Sequence, residues 1–182
     1  MGTRNLTIVV KEGKTKIAQY GQWDGYPSGQ GLTVLEFLRN SNLQAFKQKL
    51  EGVLEITEEE LNHIDKYYSD NWKEIYPQLS RDMGAEILEY VLKNDNIKIS
   101  NRIGFAKDSL FCEWAYVIDF DKNVFEVYTG FNKTPLRESD RFYFNGEHDD
   151  VYHPIKLVKS FDLSNLPTNE VFLELEKCEY DE

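Results

Sequence analysis

The sequence predicts an α+β domain, with one mixed, mostly antiparallel sheet, helices packed against it and a helical middle section. Three observations carry this. Apolar and polar residues alternate near both ends of the chain, apolar residues recur at helical spacing between Thr33 and Tyr90, and the two patterns are segregated rather than interleaved as βαβ units. No repeat, low-complexity tract or linker divides the chain, so residues 1–182 read as one domain.

The elements follow in order. Leu6, Ile8 and Val10 alternate with polar neighbours, Glu12-Gly13 supplies a turn, and Thr15 to Tyr20 resumes the pattern, which predicts an opening β-hairpin. The glycine-rich run Gln22 to Gly31, QWDGYPSGQG, leads straight into a helix near Leu32, where Thr33 and Glu36 have the spacing of a capping box. Helical spacing continues through Leu35, Leu38, Leu43, Phe46 and Leu50, then through Leu61 and Ile64 behind a second capping box, Thr57 to Glu60. Ser80 is placed to cap a further helix with an apolar stripe of Met83, Ile87, Leu88, Val91 and Leu92, ended by Asn94-Asp95-Asn96.

Beyond Ile97 the period changes. Leu110, Cys112, Trp114, Tyr116 and Ile118 are assigned to one face of a strand, with Ala115 and Val117 opposite, so both faces are expected to be covered. Asp121-Lys122-Asn123 marks a hairpin turn, and Val124 to Tyr128 returns as the partner strand. Arg141 to Phe144 and Ile155 to Phe161 read as two more strands. Asn169 to Glu179 reads as an amphipathic helix with Val171, Phe172 and Leu175 inward.

Composition narrows the functions. With 32 acidic against 21 basic side chains the formal charge is -11, which disfavours a nucleic-acid polymer or an anionic membrane surface as partner. A small anion remains compatible, because local Arg and backbone N–H groups overrule the net field within a pocket. No segment reads as a signal peptide or a membrane span, and the two cysteines lack a CxxC or His-rich neighbour, so a reduced, cytoplasmic setting is expected. His63, His148 and His153 have no ligand spacing; no metal and no cofactor are expected, and Glu147 to His153 reads as a solvated acidic loop.

The least generic stretch is QWDGYPSGQG. Gly25, Gly29 and Gly31 would let backbone N–H groups approach a ligand at the positive end of the following helix. Equally, turn chemistry explains the same residues if Trp23 and Tyr26 plug the core and Asp24 caps nearby backbone. The run is neither a GxGxxG nor a P-loop pattern. Arg4 precedes the first strand and is expected beside Asp24, either clamping a phosphate or carboxylate or forming an ion pair that holds the loop. Arg81 and Asp82 are expected in the first turn of a helix, where an Arg suggests a tertiary or external task, or else a solvated surface pair. Glu113 and Asp119 fall on the less apolar face of the strong strand, as salt-bridge candidates.

Gly2-Thr3-Arg4, QWDGYPSGQG, SRDMGAEILEY and EWAYVIDFDKNVFEVYTGF together resemble an uncharacterised family of phage and bacterial proteins that opens with a GTR motif. The resemblance covers most of the chain. It implies no established activity, and some members carry His and Ser where this chain has Gln22 and Gly25, so a His or Ser mechanism does not carry over. Small phage proteins of this size include sponges that sequester nucleotide immune signals, which makes sequestration an expectation by analogy.

Three functions are therefore carried forward. The first is non-catalytic binding of a small anionic, nucleotide-like ligand by Thr3, Arg4, Gln22, Trp23, Asp24, Tyr26, Gly29, Gly31, Arg81 and Asp82. There Arg4 and the Gly29 to Gly31 backbone hold phosphate, Trp23 and Tyr26 stack, and Asp24 takes a ribose hydroxyl. The second is a hydrolase with Asp24 or Glu113 as general base and Arg4 stabilising negative charge. The third is an acidic inhibitor or adaptor that covers a basic protein partner. Homo-oligomerisation is left open by all three.

Overall fold

A computed structural model describes residues 2–145 and 151–180. Strands β1 (Asn5–Lys11) and β2 (Lys14–Gly21) form the expected hairpin. Glu12 and Gly13 take the left-handed backbone that matches a two-residue turn to the strand twist. The carboxylate of Asp121 accepts from both turn N–H groups, at 2.7 and 2.8 Å. The chain then passes through a π-type turn, Pro27–Gly31, into α1 (Leu32–Asn40), followed by α2 (Leu43–Lys49), β3 (Leu54–Glu55), α3 (Glu58–Tyr67), α4 (Trp72–Ile75), α5 (Ile87–Lys93) and β4 (Lys98–Ile99). Next come β5 (Trp114–Asp119), β6 (Val124–Thr129), β7 (Lys156–Asp162) and α6 (Asn169–Leu173), which runs on as 3-10 turns over Glu174–Tyr180.

The result is a mixed, mostly antiparallel α+β sheet in the order β2-β1-β5-β6-β7, with only β1 and β5 parallel; β3 and β4 make a separate short parallel ladder. The helical middle section is thus inserted between β2 and β5, the two strands that flank β1. Alternation along β5 sends Trp114, Tyr116 and Ile118 to one face, where Val34, Leu35, Phe46, Leu88, Val91 and Phe172 cover them. Ala115 and Val117 face a second cluster with Leu6, Ile8, Ala106, Cys112, Tyr128 and Ile155, covered by irregular chain. Both faces are sealed, as the near-continuous apolar run of β5 requires. Each fully buried large apolar side chain contributes roughly 1.5–3 kcal/mol. Among the described residues, no helix is long and apolar enough to cross a membrane.

Several expectations are corrected. Thr33 lies within α1 rather than capping it, because the π-type turn starts the helix earlier; its hydroxyl donates back to the Gly29 carbonyl. Thr57 and Glu60 do form the reciprocal capping box. Leu110 and Cys112 precede β5, where Cys112 N–H closes a turn on Asp108 O and the thiol packs on the face opposite Trp114. Arg141 and Phe142 sit in a turn, not a strand, because Arg141 is drawn down onto the sheet. Its Nε donates to Glu126 at 2.7 Å and its Nη2 to Asp119 at 2.6 Å, while Tyr128 O–H donates to the same Glu126 oxygen. Val171 faces outward, while Phe172 and Leu175 are buried.

Candidate functional site

The glycine-rich loop closes on itself. Gly25 N–H donates to Thr3 O, Gly29 and Gly31 N–H both donate to Tyr26 O, and Gln30 N–H donates to Asp24 O. Tyr116 O–H donates to Gly25 O at 2.7 Å, pinning the loop to β5 from below. Packing explains the glycines: a Cβ on Gly29 would stand 2.2 Å from Asp24 O, and one on Gly31 would stand 2.9 Å from the Tyr116 ring. Ser28 N–H, in the turn leading into α1, donates to the carboxylate of Glu176. The phosphate cradle expected at Gly29 and Gly31 is therefore already filled by the protein's own acceptors.

Arg4 faces Glu113 rather than Asp24. Its backbone N–H donates to Glu113 Oε1 at 3.2 Å, its Nε lies 3.9 Å from the same oxygen, and its guanidinium sits 4.5 Å from the centre of the Phe111 ring. The hairpin does bring Arg4 and the Gln22 loop to one end of the sheet, but β5 enters at that end too and supplies the nearer carboxylate. Asp24 adopts a positive φ and is exposed, and Thr3 is buried. Trp23 and Tyr26 do not plug the core, being 45% and 36% exposed.

Trp23 instead reaches the Ser80 turn. Its indole N–H donates to Asp82 at 2.9 Å, Lys73 approaches the other carboxylate oxygen at 3.0 Å, and the Ser80 hydroxyl joins them. These partners, Lys73 first, hold the Asp82 carboxyl at a pKa of about 2, below the usual carboxylate range. Arg81 and Asp82 are thus in a tight turn, not a helical first turn: Asp82 N–H bonds back to Ser80 Oγ, and α5 begins only at Ile87 after a single 3-10 turn. Gln22 N–H donates to Arg81 O, so loop and turn are fastened together.

That fastening forms one wall of a groove of about 560 Å³. The end of β2 is its floor, and two segments, Gln78–Arg81 and Ser100–Phe105, line it. Tyr20 donates to Gln22 Oε1 at 2.6 Å and meets Phe105 edge-to-face at 5.1 Å. Burial pushes the Tyr20 phenol up, against the opposing pull of Arg4 and Arg81. Gln19 Nε2 reaches Tyr20 O and Ser80 O, at 3.4 and 3.5 Å. Arg102 N–H donates to Ala18 O, which fixes its segment along the edge of β2.

Each wall contributes one exposed guanidinium, Arg81 from the first and Arg102 from the second. Among the described residues neither has an ion pair. Arg81 lies 6.0 Å from the Trp23 ring centre. The site therefore unites Arg81 from the expected set with Tyr20, Arg102 and Phe105, which sequence reading missed. Nothing in the spacing ties Arg102 to Arg81; only the return of the chain along β2 does.

Of the two expected general bases, Asp24 is exposed on the loop. Glu113 is engaged with Arg4, and the Ser80 hydroxyl donates to Asp82. The Cys112 thiol is fully buried and its pKa strongly raised by desolvation. No cluster of three His, Cys, Asp or Glu side chains converges among the described residues, and Glu147 to Asp150 of the acidic loop lie outside them. No protein-family model, curated protein or solved structure matches the chain.

Proposed function

We infer that the protein binds a small anionic, nucleotide-like ligand without chemically altering it, and that the ligand sits in the groove between Gln78–Arg81 and Ser100–Phe105. One observation carries the reading: in a chain of formal charge -11, two guanidiniums without ion pairs among the described residues line the same groove. Paired cations offer little to a ligand, whereas uncommitted guanidiniums offer bidentate donors to phosphate or carboxylate oxygens. Tyr20, Phe105 and the polar side chains of Ser80, Ser100 and Asn101 add ring and hydrogen-bonding surface of the kind such sites use.

Binding without turnover amounts to sequestration, the role expected by analogy with small phage proteins that sequester nucleotide signals. The test is native mass spectrometry of the protein taken from cells, followed by denaturation and identification of whatever is released. An intact anionic, nucleotide-like mass, lost from the Arg81→Ala/Arg102→Ala variant, is the expected result. A ligand retained by that variant, or released as hydrolysis products, would overturn the assignment.

A further inference from the structure

A second cavity of about 460 Å³ adjoins the groove. The same two stretches of chain line both spaces: Ile75, Tyr76, Ile97 and Lys98 face the cavity, while Ser80, Arg81, Asn101 and Arg102 face the groove. Gln78 lines both. It is 7% exposed, its Nε2 donates to Lys98 O at 3.2 Å, and its Oε1 is buried without a hydrogen-bond partner among the described residues. An acceptor left in that state is costly unless something donates to it.

The two spaces differ in chemistry. The groove carries the two guanidiniums; the cavity is lined by the rings of His63, Tyr76 and Tyr90 with Ile64 and Ile97, by Asn94, Asp95 and Asn96, and by Lys98 paired with Glu60. Flat unsaturated rings favour such walls, and edge amides read the polar rim of a heterocycle. A free phosphate or a sugar phosphate would leave the ringed cavity without a matching group.

We propose that groove and cavity are one bipartite site for a nucleotide, with the phosphates at Arg81 and Arg102, the base among His63, Tyr76 and Tyr90, and the nucleotide crossing at Gln78, whose Oε1 accepts from a sugar or base donor. The proposal rests on the anion-binding reading of the groove and adds the ligand class and its direction.

Isothermal titration of the full chain with the four nucleoside diphosphates and with inorganic pyrophosphate separates the two levels. At least one nucleoside diphosphate is expected to bind ten-fold or more tightly than pyrophosphate. Tyr76→Leu/Tyr90→Leu should erase that advantage and leave pyrophosphate affinity within two-fold, with circular dichroism reporting the fold. Arg81→Ala/Arg102→Ala should weaken both ligands ten-fold or more. Equal binding of pyrophosphate and every nucleoside diphosphate by the wild-type chain overturns the bipartite site while the anion groove stands, and needs no variant. An advantage that survives in the folded tyrosine variant overturns it too. Absence of any binding removes the groove reading and the bipartite site together.

Discussion

The Gln22 to Gly31 loop and the Arg81/Arg102 groove are neighbours joined by the Gln22 to Arg81 backbone hydrogen bond, yet they are opposites in one respect. In the loop, the N–H groups of Gly25, Gly29, Gln30 and Gly31 are all taken by the protein itself, and so is that of Ser28. In the groove, two guanidiniums have no ion pair among the described residues. Unusual composition marks only the loop, where it serves close packing; the groove, built from ordinary segments, leaves binding capacity open.

Arg141 is the sharpest foil to the groove arginines, because its guanidinium is committed to two carboxylates against the sheet. Replacing it with Ala should cost about 3–5 kcal/mol in denaturant unfolding, since Asp119 and Glu126 would keep buried charge without a countercharge, holding only neutral donors from Tyr128, Asp121 and Lys122. A loss below about 1 kcal/mol would mean the pair is solvated and the contrast false. Next in size, Gly29→Ala should cost about 1–3 kcal/mol, as its Cβ cannot share space with Asp24 O without moving the loop. A neutral result would return the loop to candidacy as a flexible ligand cradle.

A smaller effect is expected from acid. The Asp82 carboxyl titrates near 2 in the folded chain and near 4 when unfolded, so its contribution is present above about pH 4 and is lost as pH falls toward 2. The Trp23 emission should change over that window in the wild type, and Asp82→Asn should remove that component. An identical titration in both proteins would show that Asp82 does not hold the indole. The smallest effect belongs to Arg81→Ala and Arg102→Ala, each expected within about 0.5 kcal/mol of wild-type stability because no ion pair is broken. Should either destabilise by 2 kcal/mol or more, it is structural, and the reading of the groove loses its basis.

The hairpin, the Thr57 capping box and the β5–β6 pair are legible in sequence because each is set by contacts within a few residues. Arg141 reads as strand in sequence but is not one for the converse reason: its partners, Asp119 and Glu126, lie 22 and 15 residues away. The same holds at the site. Arg4 finds Glu113 rather than Asp24 because β5 is laid parallel to β1, a pairing that local pattern does not encode. Arg81 was visible as an oddly placed cation, whereas Arg102 acquires meaning only once its segment runs beside β2.

That parallel pairing also governs how the chain can assemble. Asn5 meets Trp114, so the centre of the sheet joins residues 109 positions apart. Closing so long a loop is entropically slow compared with forming a hairpin. During synthesis the first two strands can pair at once, but one side of β1 must wait, open to foreign strands, until Asp119 has emerged. The interval of greatest vulnerability to aggregation therefore falls in the chain's first two thirds, and every residue that lines the groove is made within it.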